Sequence, residues 1–240
     1  MQGHLTLFTF SSPPRFYWLT GKLIPWLWAA CIVLAAAGLY VGFFVAPTDA
    51  TQGESYRVIF IHVPAAWMSM VLYLVMAFWA AIGWAFNARL ASMVARAIAP
   101  TGAMFTFLAL WTGAFWGKPT WGAWWVNDAK LNGAAISLLF YFAYLILRSA
   151  LPDEDKRGRV SAIYNIFAFT MMLVFIGVLP RMTDSLHPGN GGNPGFGGYD
   201  LDGNMKMIFY PAIIGWSLLA VWILNLRVGY KVLIEKIQNN

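Results

Sequence analysis

Residues 58–87 read VIFIHVPAAWMSMVLYLVMAFWAAIGWAFN, without a single Asp, Glu, Lys or Arg. An uncharged apolar stretch of about 20 residues is enough for a helix to cross a bilayer. Continuous rather than alternating apolar character favours helices over a transmembrane barrel. The sequence therefore predicts an all-α integral membrane protein, one domain over residues 1–240 with six transmembrane helices. The other five predicted spans are 23–47, 97–117, 131–147, 160–180 and 207–226.

The overall composition supports the same interpretation. Hydrophobic residues make up 60% of the chain and charged residues 11%, and the mean hydropathy is +0.61. Soluble domains carry about 25% charged residues, so most of this chain is expected to contact lipid. Cys31 is the only cysteine, which excludes a disulfide framework and a cysteine-based metal site. Without a Cys-x-x-Cys-His motif, the protein is not itself a c-type cytochrome.

The distribution of basic residues predicts the orientation in the membrane. Of the 16 Lys and Arg residues, only five flank the predicted outward connections, and the other eleven lie near the termini and the opposite connections. Because cytoplasmic segments are enriched in Lys and Arg, both termini are expected in the cytoplasm. The net charge of +6 follows from this bias, so no nucleic-acid partner is expected. The five outward cations are Arg57, Lys118, Lys130, Arg181 and Lys206.

Tryptophans are concentrated in the outward connection between the third and fourth spans. Residues 111–128 read WTGAFWGKPTWGAWWVND and contain five of them. An aromatic belt at the membrane interface is the simplest explanation, but a belt distributes its rings over many helix ends. Crowding into one connection instead predicts a flat apolar shelf suited to a flat hydrophobic ligand. The predicted shelf consists of Trp116, Trp121, Trp124 and Trp125.

The three histidines are His4, His62 and His187, and the last two are expected on the same outward side as the tryptophans. Imidazole binds zinc, copper and haem iron alike. A zinc or copper site would need further ligands nearby, whereas the outward aspartates are dispersed along the chain. Haem supplies four nitrogens of its own and needs one or two axial ligands beside an apolar surface. The sequence thus favours His62 and His187 as axial haem ligands.

Haem also carries two propionates, which require cations or amide donors. Arg57 precedes His62 by five residues, and Lys130 follows the tryptophans, so both are candidate propionate contacts. Snorkelling at the interface explains the same two residues equally well. Asp128 is expected to cap the fourth span, or to orient an indole N–H or Lys130.

At these residues the chain resembles the tryptophan-rich, or WWD, family of haem-handling membrane proteins. The family pattern is roughly Trp-Gly-x-Trp/Tyr-Trp-x-Trp-Asp, and residues 121–128 here read WGAWWVND. Gly122 and Asp128 match the pattern, whereas Asn127 replaces the usual third tryptophan. The resemblance covers nearly the whole chain, and its tryptophan-rich segment is 116–130. The length and the six spans are similar to the haem exporter protein C (CcmC) branch.

The resemblance implies a function in c-type cytochrome biogenesis. It implies a multi-pass protein of the bacterial inner membrane whose tryptophan-rich loop faces the periplasm. Haem b would be held transiently and without a covalent bond between His62 and His187, and then delivered to the periplasmic haem chaperone CcmE. The implied partners are the ABC-type subunits CcmA and CcmB and the small membrane protein CcmD. No conventional enzymatic activity is expected beyond positioning haem for attachment to the chaperone.

Other functions remain open from the residues. The chain could be a transmembrane haem transporter, a WWD-type haem lyase or a b-type electron carrier. A structural membrane subunit with an aromatic belt is a further alternative. The glycine-rich connection within residues 181–206 is expected to be an irregular loop that closes the haem site from the aqueous side.

Overall fold

The computed structural model of the protein describes residues 12–187, 201 and 203–238, which are helical apart from short connections. Within these residues the only β-type pairing is an isolated bridge between Asp49 and Gly53, so the predicted all-α class is confirmed. The helices are α1 (Pro13–Phe44), α2 (Ile59–Ala85), α3 (Arg89–Trp121), α4 (Ala129–Ala150), α5 (Glu154–Met172), α6 (Leu179–Met182) and α7 (Gly203–Gln238). A 3₁₀ turn at Glu54–Val58 precedes α2, and a π-helical segment at Leu173–Val178 joins α5 to α6.

Six helical segments are long and apolar enough to cross a membrane, as predicted. These segments are longer than the predicted spans, which were bounded by charged residues. A charged side chain marks the edge of the lipid, but the helical backbone hydrogen bonds continue past that residue. His4 and most of the glycine-rich connection lie outside the described residues. The six segments are Arg15–Phe44, Glu54–Ala85, Arg89–Trp121, Ala129–Ala150, Lys156–Met182 and Gly203–Ile234.

Helix α3 lies at the centre of the bundle and packs along α2. Its inward face is small or apolar, and Ile98, Ala99 and Phe105 are fully buried. The rings of Tyr73 on α2 and Tyr141 on α4 are 4.5 Å apart, and the Tyr141 hydroxyl donates to the Ser69 carbonyl at 2.9 Å. Hydrogen bonds of this kind between helices replace the partners that lipid does not supply. Helices α2, α3 and α4 are therefore tightly packed around Tyr73 and Tyr141 in the middle of the bundle.

Helices α1 and α7 pack closely because small residues face each other. A Cβ added at Gly215 would lie 2.5 Å from the Ala35 nitrogen, and one added at Gly38 would lie 2.8 Å from the Ala212 Cβ. Small residues at such contacts allow backbones to approach, which is how helices associate in the absence of a hydrophobic driving force. The rest of α1 is largely exposed and faces lipid.

The π-helical segment lies against α4. A Cβ added at Gly133 would lie 2.4 Å from the Phe175 carbonyl oxygen, so the two backbones are in direct contact there. Single turns of π-helix recur at functional sites. Here the segment leads through α6 into residues 183–187, where the second candidate histidine lies.

We expect Gly215→Ala to destabilise the protein by about 1–3 kcal/mol, since overpacking of a tight contact costs that much. The added methyl would meet the backbone of Ala35, which cannot move aside as a flexible side chain would. Thermal unfolding in detergent measures the effect. Gly21→Ala is the matched control, because a Cβ at this α1 position meets nothing within 4 Å. Equal melting temperatures for the two variants would contradict the close α1–α7 contact.

Candidate functional site

His62 lies in the second turn of α2 and is hydrogen-bonded to α3. Its Nδ1 is 3.0 Å from the Ala109 carbonyl oxygen and 3.3 Å from the Thr112 Oγ1. The Thr112 hydroxyl donates its own hydrogen to the Leu108 carbonyl at 2.7 Å, so its oxygen is available as an acceptor. Two acceptors at Nδ1 place the imidazole hydrogen on that nitrogen. Nε2 therefore keeps its lone pair and is the atom that can bind a metal.

A glycine on α3 makes room for this imidazole. A Cβ added at Gly113 would lie 2.8 Å from the His62 Cε1, closer than real side chains approach. Trp116 makes a second contact with the ring, since its indole lies edge-on to the imidazole with ring centroids 5.6 Å apart. Helix α3 thus fixes His62 through two hydrogen-bond acceptors, on Ala109 and Thr112, and through packing against Gly113 and Trp116.

His187 lies in the connection after α6, and its ring centroid is 6.1 Å from that of His62, with the ring planes inclined by 41°. Two imidazoles on opposite sides of one metal ion, each with an N–metal bond of about 2 Å, have ring centres about 6 Å apart. The structure thus brings the two predicted ligands to a separation that fits axial ligation of one haem iron. Within the described residues, His, Cys, Asp and Glu form no group of three that could hold a metal ion without such a macrocycle.

A cavity of about 610 Å³ opens beside the two histidines, a volume typical of small-ligand sites. It runs along α2 from His62 to Leu74, about 18 Å at the helical rise of 1.5 Å per residue. Helices α2, α3, α4 and α5 and the π-helical segment supply its walls, which are mostly apolar. Among the deeper lining residues are Met70, Val71, Leu110, Phe169, Met172 and Ile176.

Three of the four predicted shelf tryptophans line this cavity, namely Trp116, Trp121 and Trp125. The Trp116 indole Nε1 donates to the Gln52 Oε1 at 2.6 Å, so its polar atom is satisfied by the α1–α2 connection. Trp124 does not line the cavity. Its ring packs edge-on against Phe115 at 5.2 Å and is 53% exposed. The shelf is therefore smaller than the sequence predicted.

The tryptophan-rich segment is also more helical than expected. Trp111, Trp116 and Trp121 lie on α3, and only Trp124 and Trp125 lie in the connection that follows. Gly122 ends the helix with φ of 78°, a left-handed conformation that favours glycine, and the Lys118 ammonium donates to its carbonyl at 3.0 Å. The glycine of the Trp-Gly-x-Trp-Trp pattern thus turns the chain so that Trp125 returns toward the cavity.

Asp128 is buried and connects two parts of the site. Its Oδ1 accepts the backbone N–H groups of Lys130 at 2.8 Å and Leu131 at 3.4 Å, which confirms the predicted cap of α4. Its Oδ2 accepts the N–H of Leu186 at 2.8 Å. Burial raises the pKa of Asp128, but hydrogen bonds from the Ser185 side chain and these three amides outweigh it and hold the pKa below its ordinary value. The carboxylate therefore anchors the residue that precedes His187.

Asn127, which stands where the family pattern has a tryptophan, has a local structural contact. Its Oδ1 accepts a hydrogen bond from the Asn132 Nδ2 at 2.7 Å. The side chain is exposed and does not line the cavity. The amide thus supports the first turn of α4 instead of extending the aromatic shelf.

Arg57, the first candidate propionate contact, lies away from the cavity. Its guanidinium pairs with Glu54 and donates to the carbonyls of Gly42 at 3.1 Å and Ala46 at 2.7 Å. These bonds join the 3₁₀ turn to the end of α1 and explain why a cation is needed there. The expectation of a propionate at Arg57 does not fit this placement.

Lys130, the second candidate, does line the cavity, and so does Arg181, which was not among the predicted propionate contacts. Gly113, Thr112 and Gln52 were also missed, although each contacts a predicted site residue. A contact between Gly113 and His62 could have been predicted, since His62 and the last turns of α3 were both expected at the outward end. The position of Arg181 depends on the π-helical segment, which has no clear sequence signature.

The sequence model of the family described as "Heme exporter protein C" (CcmC) matches residues 6–240. The chain belongs to this family. It is 44% identical over 174 residues to the "Heme exporter protein C" of Escherichia coli (strain K12), which covers 72% of this chain and 67% of that protein. The protein of the same name from Bradyrhizobium diazoefficiens is 41% identical over 162 residues, or 68% of this chain and 61% of that one. The Haemophilus influenzae protein is 37% identical over 183 residues, or 76% and 74%.

In this member of the CcmC family we expect Asp128→Asn to release the Leu186 segment while α4 stays capped. Asparagine keeps one carbonyl oxygen, which can accept from the Lys130 amide, but its NH₂ group cannot accept the Leu186 N–H. A hydrogen bond to a charged group contributes about 1.5–3 kcal/mol, so hydrogen exchange at Leu186 should accelerate by about tenfold or more. Amides in the first turn of α4 should exchange at the wild-type rate.

Asp128→Ala serves as the comparison, because it removes both sets of bonds and should accelerate exchange at Leu186 and at the start of α4 together. Unchanged exchange at Leu186 in the Asn variant would contradict the proposed anchor. The pH dependence has a defined sign: a lowered pKa makes the stabilisation complete above about pH 4 and lost as the pH falls further. The difference in melting temperature between wild type and Asp128→Asn should therefore shrink in acid.

Proposed function

We propose that this protein binds haem at the outward end of the bundle, with His62 and His187 as axial ligands, and delivers it to the haem chaperone CcmE during c-type cytochrome biogenesis. The observation that carries the proposal is the 6.1 Å separation of the two imidazole rings beside an apolar, tryptophan-lined cavity. The name of the family and of its relatives, heme exporter protein C, supports the same ligand.

The cavity walls are suited to a porphyrin face. Trp116, Trp121 and Trp125 present large apolar rings near the histidines, and aliphatic residues continue the surface toward the middle of the membrane. Burial of apolar area contributes about 25 cal/mol per Å², so even partial coverage of a porphyrin gives several kcal/mol. Haem itself supplies the iron that the imidazoles bind and the vinyl groups at which a chaperone forms its covalent bond.

Among the described residues, two cations line the cavity, and these are the proposed propionate contacts. Lys130 lies in the first turn of α4, and Arg181 lies in α6. Both are close to the aqueous end of the bundle, which leaves the propionates hydrated and the porphyrin edge in apolar surroundings. Charge-assisted hydrogen bonds from an ammonium or a guanidinium to a carboxylate are stronger than those between neutral groups. These contacts would orient haem as well as hold it.

The two histidines are held by different means, which suits a site that must also release its ligand. His62 is fixed on a helix by contacts with Ala109, Thr112 and Gly113. His187 follows a short segment that the Asp128 carboxylate holds at the Leu186 N–H. Breaking that hydrogen bond would release this segment and leave the contacts of His62 in place. We infer that His187 is the ligand that exchanges when haem is passed on.

Orientation and partners complete the proposal. The bias of Lys and Arg residues toward the other end of the bundle favours a periplasmic haem site in the bacterial inner membrane. The ABC-type subunits CcmA and CcmB and the small protein CcmD are the proposed partners in assembly. Exposed apolar faces on α1 and α7 provide room for membrane partners as well as lipid.

A transmembrane haem transporter is the second candidate, because the cavity reaches about 18 Å along α2. Beyond it, however, the bundle is filled by buried side chains such as Met76, Ile98 and Tyr141. A path for haem between the two faces would have to separate these contacts. Loading from the outward side or from the lipid requires no such change, so we favour the outward carrier.

We expect purified protein to bind haem with a six-coordinate, low-spin visible spectrum, and His62→Gly and His187→Gly each to lose it. Added imidazole should restore the low-spin spectrum in both variants, because free imidazole can occupy the vacated ligand position. His4→Gly is the matched histidine control and should behave as wild type. An unchanged low-spin spectrum in both variants would argue against axial ligation by these residues. So would loss of the low-spin spectrum that added imidazole does not restore.

A second test separates the tryptophans that line the cavity from the one that does not. Trp121→Ala should weaken haem affinity by about tenfold, since a lost aromatic contact costs about 0.5–1.5 kcal/mol in addition to its buried area. Trp124→Ala, which removes an equally large ring outside the cavity, should change the affinity by less than about twofold. Haem titration followed by Soret absorbance measures both. Equal losses would indicate that the tryptophans act as an interfacial belt.

A further inference from the structure

Gln52 lies in the connection between α1 and α2, and its side chain lines the cavity beside the histidines. The residue is half-buried, and the Trp116 indole Nε1 donates to its Oε1 at 2.6 Å. The two ends of a glutamine amide are nearly alike in shape, but an indole N–H can only donate. The oxygen must therefore be the end directed to Trp116, and this contact fixes the orientation of the amide.

The other polar groups of Gln52 are used by the turn that precedes α2. Its backbone N–H donates to the Asp49 Oδ1 at 2.7 Å, and its carbonyl accepts from the Ser55 hydroxyl at 2.7 Å. The side-chain NH₂ group carries two hydrogens and can only donate. Among the described residues, none accepts a hydrogen bond from it. Gln52 is thus a fixed residue with a donor group at the cavity wall.

The two acidic side chains of the same connection have other partners. The Glu54 carboxylate accepts from the Thr48 hydroxyl at 2.7 Å and pairs with Arg57. Asp49 accepts backbone N–H groups of its own turn. Neither of these carboxylates lines the cavity, and Gln52 is the only described residue of the connection that does. The polar group that this connection presents to the cavity is therefore a neutral amide.

We propose that the Gln52 NH₂ group donates a hydrogen bond to one haem propionate. The inference rests on the proposed function and adds a contact to it. A hydrogen bond to an ionised acceptor is about twice as strong as one between neutral groups, so a carboxylate is the favoured partner of this donor. Lys130 and Arg181 belong to α4 and α6, whereas Gln52 precedes α2. The carboxylates of haem are thus recognised by separate elements of the bundle.

This contact supplies something that the two histidines do not. Axial ligands hold the iron but leave the porphyrin free to rotate about the line that joins them. A propionate bound at Gln52 removes that freedom and fixes which edge of haem is presented to a partner. The same side chain bonds to Trp116, whose indole lies edge-on to the His62 imidazole with ring centroids 5.6 Å apart. Gln52 therefore links the position of the propionate to that of the axial ligand.

Gln52→Glu tests the contact, because a carboxylate keeps an acceptor for the Trp116 N–H but removes both donors and repels a propionate. The probes are haem and haem dimethyl ester, whose propionates are neutral, and Soret absorbance measures both dissociation constants. We expect Gln52→Glu to weaken haem binding about tenfold or more and to leave the dimethyl ester within about twofold of the wild type. Equal weakening of both ligands, or weakening of neither, would overturn the proposed contact.

Asn127→Asp is the matched control, since it makes the same change from amide to carboxylate at an exposed position outside the cavity. The new carboxylate keeps the acceptor for the Asn132 side chain. This variant should bind both probes within about twofold of the wild type. Haem binding that weakens as much in Asn127→Asp as in Gln52→Glu would overturn the assignment, because any added negative charge would then suffice.

Hydrogen exchange at the Trp116 indole separates a propionate contact from an effect on packing. In haem-free protein labelled at its tryptophan nitrogens, this hydrogen should exchange at the wild-type rate in Gln52→Glu and faster in Gln52→Leu, which removes the acceptor. Trp116→Phe identifies the resonance by removing it. Fast exchange in Gln52→Glu, with weaker binding of both probes, would overturn the contact in favour of an effect through Trp116. A wild-type protein that binds no haem would instead overturn the proposed function.

Discussion

The candidate site depends on a carboxylate that is shared between two segments far apart in the chain. Asp128 uses one oxygen to start α4 and the other to hold the Leu186 amide, so the tryptophan-rich connection and the His187 segment have a fixed relation. Either function alone could be met by other residues, since Ser, Thr and Asn also cap helices. A carboxylate is needed because one side chain must accept hydrogen bonds from the Lys130 and Leu186 N–H groups at once. The aspartate of the Trp-Trp-x-x-Asp segment thus has a structural explanation that does not require contact with haem.

The approach of α2 to α3 is the second constraint, and it determines which nitrogen of His62 is available. Nδ1 is directed to a backbone carbonyl of α3, and the glycine at position 113 permits that distance. A hydrogen bond to a carbonyl also increases the basicity of the opposite nitrogen, as it does in metal-binding histidines. Helix packing therefore determines which nitrogen of His62 is available, and the tryptophans contribute apolar surface next to it.

The fold could be predicted well from the sequence, because long uncharged runs have few alternatives in a membrane. The placement of His62 and His187 at the same end of the bundle followed from counting spans. The direction of individual side chains could not be predicted. Trp121 and Trp124 are three residues apart, yet the left-handed turn at Gly122 sends one into the cavity and the other onto Phe115. Arg57 became a propionate candidate because it precedes His62 by five residues in the sequence. In the structure its guanidinium instead donates to the carbonyls of Gly42 and Ala46 at the end of α1.

Basic residues at one end of a membrane protein usually need no explanation beyond orientation, and a count of Lys and Arg treats them as equivalent. The structure separates them. Arg159 is exposed, whereas Arg148 and Arg157 are half-buried and hydrogen-bonded to the chain. Orientation requires only that charge remain on one side, and exposed lysines would satisfy it without desolvating a guanidinium. The hydrogen bonds from Arg148 to the Ser161 hydroxyl and from Arg157 to the Leu151 and Pro152 carbonyls offset part of that cost, and they join the end of α4 to the start of α5.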